Sequence, residues 1–523
     1  MELAKKRLNE SAPLRWGVLV LISGLMFATY WFQDCLGPLK SLFESQLGFS
    51  NSQFGLLVAS TTWANLALMI IVGGIALDKW GIRKAGIVFG ILATVGAFIV
   101  AFASKGFFGQ NEKTMLVWMI IGRILFGTGL ETVCVMVSRT VVKWFKNYEL
   151  ALAMGINVAF GRLGTGIAMF YGIEIANGNV QTGLSFAASL IGLALIMFLI
   201  YLIIDVKYDK QEKALSGAVE TLEDDGFKFK DLVGLITNKS FIYIALLCVA
   251  FYSAVFPFLQ YAPDLLVNKF GFTLELPDLS GMSLWQKILA YFQNGPKVTS
   301  LIPFGTILFT PIFGRLIDKK GKAASLMMLG SFLIIFAHLA LSVFNNTALG
   351  YLGLFSLGIA FSLVPAAMWP AVARIVAENR LGTAYATMFT IQNYGLNAFY
   401  WGIGKVLDIV NPSIVEQIKG TRKLLIDAGV TKDKIPEIID KLKVSVEYET
   451  IKTQLIDAGV SLEKIPPIID KLKIYGEIPP YDYTIPILML VVLGVISIFL
   501  AYQLKLADKK QGYGLELPSG QEK

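Results

Sequence analysis

Cysteine, histidine and charge are all scarce in this chain of 523 residues. It holds three cysteines, Cys35, Cys134 and Cys248, and one histidine, His338. Three thiols scattered through apolar stretches give neither a disulfide framework nor metal-ligand spacing, so no metal and no cofactor is expected. One histidine without a nucleophile and base around it leaves little catalytic chemistry, and an enzyme is not expected. Lys, Arg, Asp and Glu make up only 16% of the residues, against 55% hydrophobic ones. That is too little charge to cover a soluble protein of this length. The formal net charge of +8 is dispersed among loops and forms no basic stripe, so nucleic acid is not an expected partner.

What the sequence has in abundance is apolar runs, each long enough to cross a hydrocarbon core of roughly 30 Å as a helix. Such runs stand at about 14–38, 53–77, 84–104, 115–138, 149–175, 181–204, 241–261, 297–317, 322–343, 347–372, 382–410 and 484–505. An all-α polytopic membrane protein with twelve crossings is expected, its surroundings the lipid bilayer. The first run follows the basic "AKKRLNE" with no small-residue cleavage site after it and reads as a retained span. Lys and Arg concentrate in the two tails and in alternate loops, which places both termini in the cytoplasm.

The runs divide into two sets. A six-helix bundle at 1–204 is followed by a charged, flexible connector at 205–240 and a second bundle at 241–410; the last span and tail occupy 484–523. "GIALDKWGIRK" at 74–84 is echoed by "GRLIDKKGK" at 314–322, putting Asp78 and Asp318 at equivalent places in the two sets. The repeated Gly-x-x-x-Asp-Lys-x-Gly loop resembles the signature of the major facilitator superfamily. The resemblance implies the major facilitator fold, with two pseudo-symmetric six-helix halves that rock about a central site. Asp78, Asp318 and the basic residues beside the first copy, Arg83 and Lys84, are then the expected gating groups, because an aspartate facing a helix N-terminus forms a bond that one state makes and the other breaks.

The outward loop at 411–483 is unusual. "LIDAGVTKDKIPEIIDKLKV" at 425–444 returns as "LIDAGVSLEKIPPIIDKLKI" at 455–474, identical at 15 of 20 positions. Each copy reads as a helix, a Gly turn and a second amphipathic helix opened by Pro, and two copies can bury their apolar faces on each other. A tolerated insertion is the plain reading of this miniature domain; a lid or a docking place for a partner is the functional one.

Charges within spans are costly and point to function unless they are paired. Arg123 opens "RILFGTG" in the fourth run, with Gly127 and Gly129 at close-packing spacing, and Glu131 follows a little over two turns later. Arg162 lies in "NVAFGRLGTGIAM" of the fifth. Arg123 reads equally well as a structural anchor and as a transport charge. Glu131 and Arg162 read either as a permanent ion pair or as the two ends of a clamp for a zwitterion. Tyr30 and Asp34 share a face of the first span, Asp34 as an outer-gate residue or an exposed helix end. The second half offers aromatics and amides instead, among them Tyr252, Trp369 and Asn393, for stacking and hydrogen bonding. His338, in the ninth run, is expected to make a structural hydrogen bond and not to relay protons.

"GRILFGTGLETVCV", "AFGRLGTGIAM", "YSAVFPF", "AAMWPAVA" and "RLGTAYATMFTIQNYGL" resemble the lysosomal dipeptide uniporter branch of the superfamily. That resemblance implies that Glu131 holds a peptide's amino end and Arg162 its carboxyl end, with Trp369 near the peptide. It implies facilitated dipeptide transport by alternating access, in keeping with the lack of a Glu-x-x-Glu-Arg pattern in the first span. No acidic dileucine signal stands in "MELAKKRLNESAPLRW", so a bacterial inner membrane is expected over a lysosomal one. Two other readings stay open: an organic-anion carrier in which Arg162 and Arg123 form the site, and a non-transporting sensor that uses the outward insertion.

Overall fold

The computed structural model describes residues 7–216, 229–377, 380–444 and 448–518. Among these the chain is helical, with a lone bridge between Thr273 and Asn294. The first half comprises α1 (Ala12–Asp34), α2 (Asn51–Ala59), α3 (Met69–Ser104), α4 (Glu112–Phe145), α5 (Leu150–Ala176) and α6 (Val180–Ser216). The second comprises α7 (Lys239–Phe270), a short α8 (Leu284–Phe292), α9 (Gly295–Lys320), α10 (Ala323–Ser342), α11 (Thr347–Ile375) and α12 (Leu381–Val410). Four insertion helices, α13 (Pro412–Asp427), α14 (Ile435–Val444), α15 (Tyr448–Asp457) and α16 (Ile465–Tyr475), precede α17 (Thr484–Gln511). Caps account for many of the starts. Ser50 and Gln53 form a reciprocal capping box at α2, and asparagines at 111, 238, 294 and 346 accept from the first turns of α4, α7, α9 and α11.

Among the described residues ten helices are long and apolar enough to cross a membrane, against the twelve runs of the sequence. Two physical features make the difference. The second run is interrupted: α2 gives way to the short turns Ser60–Thr62 and Trp63–Leu66, Ala67 leaves helical geometry, and Leu68 takes a left-handed φ of 64°. The helix resumes as α3, which bends at Gly81 and continues through the third run. The eleventh run, α12, is helical throughout, but Gln392, Asn393, Asn397 and several tyrosines dilute its apolar character. The connector is more helical than a flexible linker, since α6 continues to Ser216 and a helix covers Phe229–Thr237; residues 217–228 lie outside the described residues.

The same pairing of helices is used twice. In the first half α1 packs on α5 and α6, and α3 on α4 and α6; in the second, α7 packs on α12 and α17, and α10 on α11 and α17. Both signature loops also close on glycines of positive φ, Gly81 at 73° and Gly321 at 67°, a conformation that a side chain disfavours. Two seams join the halves, α2 against α12 and α5 against α9.

The insertion folds on itself as the repeat requires. Equivalent positions of the two copies are buried together: Leu425 and Leu455, Val430 and Val460, Ile435 and Ile465, Ile438 and Ile468, Leu442 and Leu472. It also reaches the first half, where the Arg422 guanidinium donates to the carbonyls of Ser45 and Gln46, both at 3.0 Å.

Candidate substrate site

Glycines bring the site together. A Cβ on Gly127 would lie 2.0 Å from the Thr61 carbonyl, and one on Gly129 2.4 Å from that of Phe89, so only glycine lets α4 approach the broken second span and α3 this closely. One turn beyond the Gly127–Thr61 contact, Asn65 Nδ2 donates to Glu131 Oε1 at 3.3 Å. The same amide reaches Asn393 Oδ1 of α12 at 3.5 Å, at the outer limit of a hydrogen bond. Glu131 is half-buried. Next to this cluster the chain holds Leu68 in the left-handed region, where a side chain costs about 1–2 kcal/mol. Discontinuous helices are one way in which carriers present backbone groups to a solute.

Arg162 lies on α5 and is likewise half-buried. No ion pair joins it to Glu131. The Arg162 guanidinium instead rests over the ring of Phe361, 4.5 Å from its centroid, with Phe256 at 5.7 Å. Its Nη1 is enclosed without a hydrogen-bond partner. A cation held by ring faces, with a donor unspent, is ready for an anionic group. The rings continue as a wall: Tyr252 stacks on Phe256 at 5.3 Å, Trp369 Nε1 donates to Tyr252 Oη at 3.1 Å, and Trp369 stacks on Phe389 at 5.0 Å. Tyr30 of α1 packs against the Gly161 position, beside Arg162. The structure thus brings together Tyr30, Glu131, Arg162, Tyr252, Trp369 and Asn393.

Two of the singled-out charges sit elsewhere. Arg123 is fully buried and spent on α1, donating to the Phe32 carbonyl and to Gln33 Oε1, each at 3.2 Å. Such bonds suit the anchoring reading. Asp34 is no exposed helix end: only 5% of it is accessible, and its carboxylate accepts from Thr165 at 2.6 Å and from Gln260 of α7 at 2.8 Å. It therefore ties the halves together.

Asp34 belongs to a closed insertion face. Lys40 pairs with Asp264 at 2.7 Å, both buried, and Tyr483 donates to the same carboxylate. Burial and the charge of Asp264 push the Tyr483 phenol far above its ordinary range, so it stays a donor. Lys297 of α9 pairs with Glu174 of α5 at 2.5 Å and lies 4.2 Å from the Phe170 ring centroid. Asp408 caps α2 by accepting from the amides of Asn51 and Ser52, at 3.1 and 2.8 Å. The α2–α12 seam continues through Trp63 and Asn397, at 2.9 Å, to the middle of α12, where Tyr394 Oη donates to the Leu66 carbonyl at 2.9 Å.

On the opposite, basic face, pairs join residues of the same half. Asp78 pairs with Arg139 at 2.6 Å, and Arg83 with Asp205 at 2.7 Å and with Asp209. Asp318 and Lys84 are exposed on that face. In the second half Glu516 of the tail occupies the start of α10, accepting from the Ser325 amide at 3.0 Å and pairing with Lys505 at 3.2 Å.

Sequence reasoning passed over Asn65, Phe361, Phe256 and the seam charges. Asn65 could have been found as an amide in the body of an apolar run. Lys40, Lys297 and Asp264 look like ordinary loop and helix-end charges until the halves are packed.

The Major Facilitator Superfamily model matches residues 22–398. A curated relative from Danio rerio, the lysosomal dipeptide transporter MFSD1, is 29% identical over 409 residues, covering 75% of this chain and 80% of the relative. The hexuronate transporter of Bacillus subtilis is 23% identical over 368 residues, covering 70% and 81%. Among solved structures the nucleoside transporter NupG superposes with a TM-score of 0.58 at 15% identity, covering 94% of this chain and 99% of NupG.

Proposed function

The chain belongs to the Major Facilitator Superfamily, and from that premise we propose that it carries short peptides, dipeptides foremost, by alternating access. The observation that carries this reading is the separation of charges in the site. Glu131 is held by an amide and Arg162 by two rings, with one guanidinium nitrogen unpartnered, so opposite charges are presented apart. A free dipeptide has matching charges at its two ends. Glu131 receives the ammonium, Arg162 the carboxylate, and the wall of Tyr252, Phe256, Phe361 and Trp369 accommodates varied side chains. The name of the MFSD1 relatives points the same way.

With the basic face in the cytoplasm, the arrangement is that of a carrier sealed on the outside by Asp34, the Lys40–Asp264 pair and the α2–α12 seam. In the alternate state the signature loops, with Asp78, Asp318, Arg83 and Lys84, latch the cytoplasmic side. Transport is downhill, without obligatory proton coupling. Uptake of labelled dipeptide into vesicles, driven by the peptide gradient alone, tests this; uptake that requires an imposed proton gradient contradicts it.

A second reading rests on the unspent Arg162 donor and on the hexuronate relative: an organic-anion carrier in which Glu131 only braces the site. Glu131→Gln separates the two. An anion carrier keeps its binding, and a dipeptide carrier loses its hold on the amino end.

A further inference from the structure

The segment between α7 and α9 contains a helix that the apolar runs did not reveal. Ser283 and Gln286 form a reciprocal capping box that starts α8, "LWQKILAYF". Leu284, Trp285, Ile288, Leu289 and Phe292 are 76%, 67%, 37%, 41% and 49% exposed. At 100° per residue these five occupy one continuous face, with Gln286 and Lys287 on the other side. A soluble surface does not spend a tryptophan, a phenylalanine and three aliphatic residues in this way.

The loop around the helix is fastened. The Thr273 amide donates to the Gln293 carbonyl at 2.8 Å, the Gly295 amide to the Thr273 carbonyl at 2.9 Å, and Asn294 Nδ2 to the Leu274 carbonyl at 2.9 Å. Tyr351 of α11 donates to the Phe292 carbonyl. The apolar face is thus held outward. It ends three residues before α9 begins, and α9 carries its own outward apolar row of Leu301, Leu308 and Ile312, at 50%, 68% and 58% exposure. In a membrane protein such a row on a crossing helix faces lipid, and α8 continues that surface at its end. Tryptophan and phenylalanine with a nearby lysine suit the headgroup boundary.

We infer that α8 lies in the membrane interface on the insertion side, with its Leu284, Trp285, Ile288, Leu289 and Phe292 face in phospholipid. It is an in-plane anchor at the seam of the halves. Tyr291 stacks on Phe170 of α5 at 5.9 Å, and Lys297, which pairs with Glu174, lies 5.7 Å from the Tyr291 ring. The lipid-held helix therefore touches the α5–α9 seam that must part for the insertion face to open.

Nitroxide labels placed singly at Ile288→Cys and Gln286→Cys test this in the full-length protein. The protein is reconstituted in phosphatidylcholine–phosphatidylglycerol vesicles, and the signal of the parent chain is subtracted. Both positions are on the surface, and labelled samples are first matched to the parent by gel filtration. The anchor predicts that the label at 288 is severalfold more accessible to oxygen than to a water-soluble nickel chelate, with the ratio reversed at 286. Equal access of the chelate to both labels overturns it by leaving the face in water, free for a soluble partner. Spin–spin broadening at 288 overturns it in favour of a second copy of the chain.

Discussion

The first half supplies the charges of the candidate site, Glu131 and Arg162, whereas the second supplies the rings and an amide, Tyr252, Phe256, Phe361, Trp369 and Asn393. Both halves pair their helices in the same way and carry the same signature loop, so the difference lies in what each repeat places at the candidate site. The second crossing shows it best. In the first half it breaks at Leu68 and delivers Asn65 to Glu131; the equivalent Leu308 sits within an unbroken α9, exposed on the outer surface. A duplicated frame has kept its packing and divided its chemistry, and a solute held by both halves draws them together wherever it sits.

Removing the charge that both halves share has the largest expected effect. Arg162→Ala deletes charge-assisted hydrogen bonds of about 1.5–3 kcal/mol, which predicts a 10- to 150-fold loss of dipeptide affinity by calorimetry. Arg162→Lys, which keeps the charge but loses the planar fork, recovers only part of it. Glu131→Gln comes next, with about tenfold weaker binding of free dipeptides and no change for N-acetylated ones. Trp369→Ala probes the ring side. Loss of an aromatic contact of about 0.5–1.5 kcal/mol predicts up to tenfold weaker binding of dipeptides with large side chains, and little change for glycylglycine.

The smallest effect addresses the backbone asymmetry. Glycine in a continuous helix costs about 1 kcal/mol, so Leu308→Gly lowers the thermal midpoint. At Leu68 the left-handed strain of the leucine offsets that cost, so Leu68→Gly leaves the midpoint unchanged or raises it. Equal losses at both positions would mean that the second crossing is not broken in the first half.

Much of the fold could be read from the apolar runs and the paired signature, because each depends on local sequence. Glu131 and Arg162 were legible for the same reason, as isolated charges where charge is costly. Their relation was not. Whether they pair depends on Asn65 and on Phe361, which come from other spans and reach the site only through packing. Asp34 stood undecided between an outer-gate residue and a helix end for want of Gln260, more than two hundred residues away. The break at Leu68 carries no proline or glycine to announce it, and α8 is too short to stand out from a loop. The duplicated insertion shows the opposite case, because its repeat spelled out its own core.

The central claim is that one solute is held by its two charged ends. Calorimetric titration of the purified protein with one dipeptide in three forms, free, N-acetylated and C-amidated, tests it most directly. The account predicts measurable binding of the free dipeptide and at least tenfold weaker binding of each blocked form, with the N-acetylated form indifferent to Glu131→Gln and the amidated form to Arg162→Ala. Binding of the N-acetylated form as tight as that of the free dipeptide would contradict it and leave Arg162 as an anion site alone.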